Sequence, residues 1–320
     1  MKIYVTGASG FVGRRLVAEL TQRGHEVTAC VRHASKADDL DASAFSVISE
    51  IGPNTDWGDA LAGQDAVVHL AARVHVMDDH DADPLAAFRR VNVGGLKGLI
   101  AAAINANVGR LITLSSVKAI GEDSATLTAI DDETPAHPAD PYGQSKYEAD
   151  QVLCDLAQES GMGWTVLRPP LVYGPGVRGN FLTLLNACAR QKWLPLGAIE
   201  NQRSMIFLGN LTDGLCATIE CAEPLNDVFL IDDDEPISTP DLIQNVSQAM
   251  GVSPRMVNVP GSFLRAALGL IRKRAVADRL MGSLVVNSRR FQRVAGWTPP
   301  YKMLQGLTET VAWYKSRNDL

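Results

Sequence analysis

The chain opens on KIYVTGASGFVG, a short apolar run that reads as a strand, followed at once by glycines at 7, 10 and 13 and then by a helical pattern. Few features constrain a fold more. Glycines at this spacing let the backbone turn tightly and come close to a bound pyrophosphate, whose charge then lies against the N-terminus of the following helix. A glycine triplet alone also suits a plain strand-to-helix turn. The preceding strand and the strand–helix–strand pattern that follows favour dinucleotide binding, with Gly7, Gly10, Phe11, Val12 and Gly13 as the contacts.

That expectation extends over the first 170 residues. Short β-branched runs (EVTACV, FSVIS, AVVHLA, RLITLSS, WTVLRPP) alternate with helical patterns near 11 to 23, 84 to 106 and from 142 onward. Strands fed by intervening helices imply an α/β fold, a doubly wound parallel sheet covered on both faces, with ligands beyond the carboxyl ends of its strands. After Pro170 the pattern breaks into loops and helical segments. We expect a Rossmann-type domain over 1–170, with a return segment near 204–222, and a smaller C-terminal α/β substrate domain over 171–320.

With 36 acids and 30 bases well mixed and a net charge of −6, the chain lacks the basic footprint that nucleic acid demands. The start shows no signal-peptide pattern, and no apolar run is long enough to span a bilayer. The five cysteines are scattered and fit free thiols in a reducing cytoplasm. FLRAALGLIRKRAVADRL is basic and amphipathic; it suits a membrane surface, but a helix burying one face in the core is the favoured reading.

Cofactor choice is read at the end of the second strand. A cofactor without a 2′-phosphate is usually held there by an Asp or Glu on the ribose hydroxyls. Val31 stands at that place and Arg32 follows. Arginine pairs with a 2′-phosphate, so NADP(H) is favoured and NAD(H) remains open. Glu50 and Ile51, at the end of the third strand, are placed near the adenine.

In DPYGQSKYEADQ, Tyr142 and Lys146 stand four apart and share one helical face. A phenol ordinarily titrates near 10, so acid–base work near neutrality needs about 4 kcal/mol of environmental help, which a neighbouring ammonium and a nicotinamide cation supply in the right direction. The strand RLITLSS brings Ser115 and Ser116 to the same sheet edge, where a hydroxyl donates to a substrate oxygen that gains charge.

Together, TGASGFVG, HLAA, VNVGG, LSSVKAIGE, YGQSK and RPPLVYGPG resemble the extended short-chain dehydrogenase/reductase family, in its nucleotide-sugar epimerase, dehydratase and reductase branch. The resemblance covers nearly the whole chain. It implies a catalytic set of Ser116, Tyr142 and Lys146, with Lys146 also on the cofactor ribose and Ser115 beside the cofactor. It further implies that Ala71 and Ala72 line the cofactor, that Asn92 anchors the central helix, and that Pro169 and Pro170 border the nicotinamide. On the substrate side it points to Arg203 on the diphosphate of a UDP-sugar, Asn180 and Phe181 on the nucleotide, and Arg279 as a second phosphate ligand. A homodimer through the helices near 84–106 and 142–160 is implied as well.

Two departures narrow the activity. Val117 and Lys118 replace the Asp–Glu pair that sugar dehydratases carry after the catalytic serine or threonine, and Leu171 replaces an Asn that touches the diphosphate in many epimerases. The expected activity is reduction of a UDP-4-keto-6-deoxy-N-acetylhexosamine, giving UDP-N-acetyl-quinovosamine or fucosamine for lipopolysaccharide O-antigen. A UDP-hexose 4-epimerase with tightly bound NAD is the alternative, and a non-catalytic dinucleotide sensor the reading from another class. The acidic stretches VHVMDDHDADP and IDDDEP read as solvated loops, with no metal expected. His69 reads as a hydrogen-bonded core residue, and His75 is a lesser candidate for facing the sugar.

Overall fold

The structure is a computed structural model that describes residues 1–74, 83–122, 124, 129–270 and 281–318, with the side chains of 267–270 left aside. Seven parallel strands form the main sheet, in the order β3-β2-β1-β4-β5-β6-β9. They are β1 (Lys2–Thr6), β2 (Glu26–Val31), β3 (Ala44–Val47), β4 (Ala66–His69), β5 (Arg110–Leu114), β6 (Gly163–Arg168) and β9 (Asp227–Leu230). The order reverses between β1 and β4, and such a reversal opens a crevice at the carboxyl ends of the strands.

Side-chain alternation along the strands sorts the layers. Ile3 and Val5 of β1 pack with Leu16, Val17 and Leu20 of α1 (Phe11–Gln22) and with Leu211, Leu215 and Ile219 of α6 (Leu208–Glu220). Tyr4, between them in sequence, faces the opposite layer with Leu99 and Ile100 of α3 (Leu96–Asn105) and Leu153 of α4 (Pro141–Ser160). The helix expected near 84–106 is composite: α2 (Pro84–Phe88), a π-helical turn at Arg89–Gly95, then α3. Asp83, the described end of VHVMDDHDADP, caps α2 by accepting from the Ala86 amide at 3.0 Å. Residues 75–82 of that stretch, with His75, Asp78, Asp79, His80 and Asp81, lie outside the described residues, as does Arg279.

A second cluster gathers β7 (Leu171–Tyr173) paired with β8 (Met205–Phe207), together with α5 (Gly179–Ala189), α7 (Thr239–Met250) and α10 (Met303–Arg317). Residues beyond 171 also return to the sheet: α6 covers it, β9 extends it, and Phe291 of α9 (Arg289–Ala295) packs beneath β9. The start of α8 (Gly261–Leu270) sets Leu264 against the second cluster while Phe263 points outward; residues 271–280 of the amphipathic stretch lie outside the described residues. No helix among the described residues is long and apolar enough to cross a membrane. All five cysteines are free.

Candidate active site

Gly7 has φ +67°, and a Cβ there would sit 2.8 Å from the Ala71 amide nitrogen; one on Gly13 would sit 2.2 Å from the Gly7 carbonyl oxygen. Glycine is therefore required at both, and the loop is pressed against Ala71 at the end of β4. Gly10 begins α1 without any side-chain cap, leaving the first amides of the helix for an anion. This cradle fits a dinucleotide pyrophosphate. Val31 is buried at the end of β2 and Arg32 is exposed just past it. The third strand ends earlier than the sequence suggests, at Val47, so Glu50 and Ile51 lie beyond it; Glu50 pairs with Arg90 and Ile51 is half-buried.

At the other end of the crevice, α4 is drawn tightly onto the turn after β5. A Cβ on Gly143 would lie 2.4 Å from the Lys118 carbonyl oxygen, so only glycine permits this approach. Asp140 caps the helix through the Gly143 amide at 2.7 Å and pairs with Lys118 Nζ at 2.7 Å. Tyr142 is half-buried in the first turn, its ring 5.9 Å from that of Phe88 in an edge contact. Lys146, one turn later, is buried and donates to the Leu114 carbonyl at 2.7 Å, where β5 ends. The two serines then separate. Ser115 is buried and donates to Asp150 Oδ2 at 2.8 Å, whereas Ser116 is half-buried and its Oγ accepts from the Lys118 amide at 3.2 Å.

Sequence reasoning missed what lies underneath. Asp150, a further turn along α4, is buried and takes both Ser115 Oγ and Arg168 Nε at 2.8 Å. The i, i+4, i+8 spacing of Tyr142, Lys146 and Asp150 was the available signal. Asn92, turned inward by the π-helical turn, joins the loop after β4 to α4. Its Oδ1 accepts from the Arg73 amide at 2.8 Å, and its Nδ2 donates to the Arg73 carbonyl and to Ser145 Oγ, each at 3.0 Å. The anchoring expected of Asn92 is thus visible. His69 is buried with Nδ1 2.8 Å from Thr6 Oγ1; burial and then Lys146 hold its pKa near about 3, so it stays neutral, a core histidine as expected.

The protein's own groups act on the phenol in one direction. Burial, followed by Asp140 and Asp150, pushes the Tyr142 phenol above its ordinary value instead of lowering it. The Lys146 ammonium is itself disfavoured by burial, though Asp150 opposes this, and it is engaged with a carbonyl.

The substrate candidates scatter. Arg203 is half-buried and donates to the Gly282 carbonyl at 2.9 Å, where its backbone bridges to Ile237 and Leu284. Asn180 is exposed at the start of α5. The Phe181 ring is buried and stacked on Tyr173 at 5.4 Å, which leaves the backbone of the first turn of α5 as its means of meeting a nucleotide. Pro169 and Pro170 are buried after β6, where the Pro169 carbonyl accepts the Val117 amide at 2.9 Å. Ala71 and Ala72 are half-buried beside the glycine loop. IDDDEP is not a solvated loop: Asp232 and Asp233 are buried because β9 carries the chain straight from the sheet into the junction with the second cluster. Asp232 accepts from Ser288 Oγ at 2.6 Å, and Asp233 accepts from Asn210, Tyr173 and the Phe207 amide.

Residues 3–231 match the model of the NAD dependent epimerase/dehydratase family. A UDP-glucose 4-epimerase of Vibrio cholerae is 35% identical over 99% of this chain and 96% of the relative. At 26% identity, over 97% and 94% of the two chains, stands an N-acetyl-alpha-D-glucosaminyl-diphospho-ditrans,octacis-undecaprenol 4-epimerase of Escherichia coli O157:H7. Among solved structures, a UDP-glucose 4-epimerase of Thermotoga maritima with UDP-glucose superposes with a TM-score of 0.80 at 22% identity, covering 99% of this chain and all (100%) of that one.

Proposed function

Because the chain belongs to the NAD dependent epimerase/dehydratase family, we propose that it is a reductase of a 4-keto nucleotide sugar, acting on a UDP-4-keto-6-deoxy-N-acetylhexosamine. The product would be UDP-N-acetyl-quinovosamine or fucosamine, destined for O-antigen. In this reading the glycine loop and the N-terminus of α1 hold the pyrophosphate, and Arg32 favours the 2′-phosphate of NADP(H). When bound, the cofactor supplies the hydride. Tyr142 gives its proton to the 4-oxygen, Ser116 donates a hydrogen bond to that oxygen as charge develops, and Lys146 orients the phenol and the ribose. The part of 171–320 outside the returns to the sheet, with Arg203 and Asn180, would bind the UDP moiety, and two copies would pair across α2–α3 and α4 in a reducing cytoplasm that keeps the thiols free.

The observation that carries the reading is the end of β2, where Val31 is buried and Arg32 stands exposed in the place of an acid on the ribose hydroxyls. Reduction needs Tyr142 as a proton donor, the form that its burial favours. Oxidation of a sugar alcohol needs the opposite, a phenolate next to a cationic ring. Lys118 supports the exclusion of dehydration, since it stands where a dehydratase needs an acid and is paired with Asp140 and Glu122.

A UDP-hexose 4-epimerase is the second reading, favoured by the 35% identity to such an enzyme over nearly the full chain. Purification decides between them. The reductase should leave the column without stoichiometric NAD and consume NADPH with the 4-keto sugar nucleotide. Bound NAD together with interconversion of UDP-galactose and UDP-glucose, no cofactor added, would overturn it. A Tyr142→Phe protein that retained its full biological effect would instead favour a non-catalytic sensor.

A further inference from the structure

Three large apolar side chains stand in solvent on one face of the second cluster: Trp193 is 66% exposed, Phe263 68% and Val257 45%. The backbone holds them together. Leu194 donates to the Arg255 carbonyl at 2.9 Å, Val257 to the Leu194 carbonyl at 2.9 Å, and Gly197 to the Val257 carbonyl at 3.1 Å, so the strips 193–197 and 255–257 run side by side. Gly261 opens α8 close to Ile199, with the place of its missing Cβ 3.7 Å from Ile199 Cδ1. In each strip the adjacent residue serves the core: Leu194, Met256 and Leu264 pack into the second cluster while Trp193, Val257 and Phe263 point out. Packing thus accounts for the inner row, while among the described residues the outer row stays open to solvent, with only Arg255 over Trp193.

The charge around the outer row runs against that of the chain. The protein carries −6 overall, yet residues 251–270 contain Arg255 and Arg265 and no acid, and the strip 186–200 adds Arg190 and Lys192 against Glu200. The Arg255 guanidinium sits 5.8 Å from the centre of the Trp193 ring. An aromatic with a basic group over its ring suits the boundary of an anionic bilayer, where the ring enters the headgroup region and the cation meets phosphate.

We propose that this face, Trp193, Val257 and Phe263 with Lys192, Arg255 and Arg265, docks the enzyme on an anionic lipid surface. A face that is basic on an acidic protein makes the attachment reversible, salt-sensitive and fixed in orientation. The inference stands apart from the reductase reading and needs no turnover to test it.

The full-length protein would be floated with vesicles of phosphatidylglycerol and phosphatidylcholine in equal parts, and with phosphatidylcholine alone. Trp193 reports contact directly in a Trp313→Phe background, because Trp57, Trp164 and Trp297 are buried and Trp313 is the other tryptophan open to solvent. The expected result is partition onto the anionic vesicles with a blue-shifted, quencher-protected emission, reduced at least tenfold in half-molar salt or in the Trp193→Ser/Phe263→Ser variant. That variant should keep its circular dichroism and its elution volume. Equal partition onto neutral vesicles, or unchanged partition of the variant, would overturn the proposal. So would a variant whose only change is a smaller oligomer, since that outcome would make the face a contact between copies of this chain.

Discussion

Asp150 and Asp233 are buried to nearly the same degree, 2% and 4% exposed, but the molecule treats their charges differently. Asp150, under the candidate active site, faces the Arg168 guanidinium at 2.8 Å and has Lys146 nearby; burial raises its pKa, and these two cations oppose the rise. Asp233, where the sheet meets the second cluster, has only dipoles: the Phe207 amide at 3.0 Å, Asn210 Nδ2 at 2.7 Å and the Tyr173 hydroxyl at 3.1 Å. Burial pushes its pKa up to about 7. A buried carboxylate with cations beside it is a fixed charge that can position Lys146, and one held by dipoles alone is a joint that titrates.

If the region around Asp150 is the chemical one, its tyrosine is the place to break the comparison. Tyr142→Phe should cut turnover by about a thousandfold with an unchanged melting temperature, the range of a lost general acid. Steady-state kinetics and calorimetry check this; a melting point that drops with activity would make Tyr142 structural. Asp150→Asn should cost about 3–5 kcal/mol in denaturant unfolding, because it strands the buried Arg168 charge. Pairing it with Arg168→Met should restore most of that loss, and a double variant no more stable than the single one would show that the ion pair is not the cause.

Asp233 calls for a pH series. Its folded pKa, about 7, lies above the ordinary carboxylate value of 3.8, so the folded state prefers the proton. Stability from this group is complete below pH 3.8 and is lost as pH rises to about 7, at up to roughly 1.4 kcal/mol per pH unit. Asp233→Asn removes that slope. The wild type should therefore lose stability relative to the variant between pH 5 and pH 7.5 in urea unfolding, and parallel curves would mean that Asp233 is ionised throughout.

The same contrast explains what the sequence could tell. The glycine loop, the parallel sheet and the Tyr142–Lys146 face were legible because each follows from local rules: a turn that excludes Cβ, strand–helix alternation, a helical repeat. Asp150 shares that helical repeat, but its meaning depends on Arg168, which arrives at the end of β6, 18 residues later. IDDDEP was misread for a related reason: acids in a row suggest solvent, and only the return of β9 to the sheet buries Asp232 and Asp233. The Phe181 ring has a partner in Tyr173 that no local pattern announces.

The smallest expected effect lies on the rim of the chemical region, at Lys118. Its ammonium pairs with Asp140 at 2.7 Å and with Glu122, and its side chain is 27% exposed, so solvent screens both contacts. Burial would raise the Asp140 pKa, but the Lys118 hydrogen bond and the Gly143 amide outweigh it and hold the carboxyl below its usual value. The contribution is therefore present at neutral pH and lost as pH falls through the folded pKa. Lys118→Met should cost about 0.5–1 kcal/mol at pH 7 and nothing measurable once Asp140 is protonated, because the Asp140 cap on the Gly143 amide survives the change. Turnover should stay within about twofold, given that α4 is still held on the turn by the close Gly143 contact. A loss of turnover as large as that of Tyr142→Phe would move Lys118 from the scaffold into the chemistry and would redraw the boundary between the two regions.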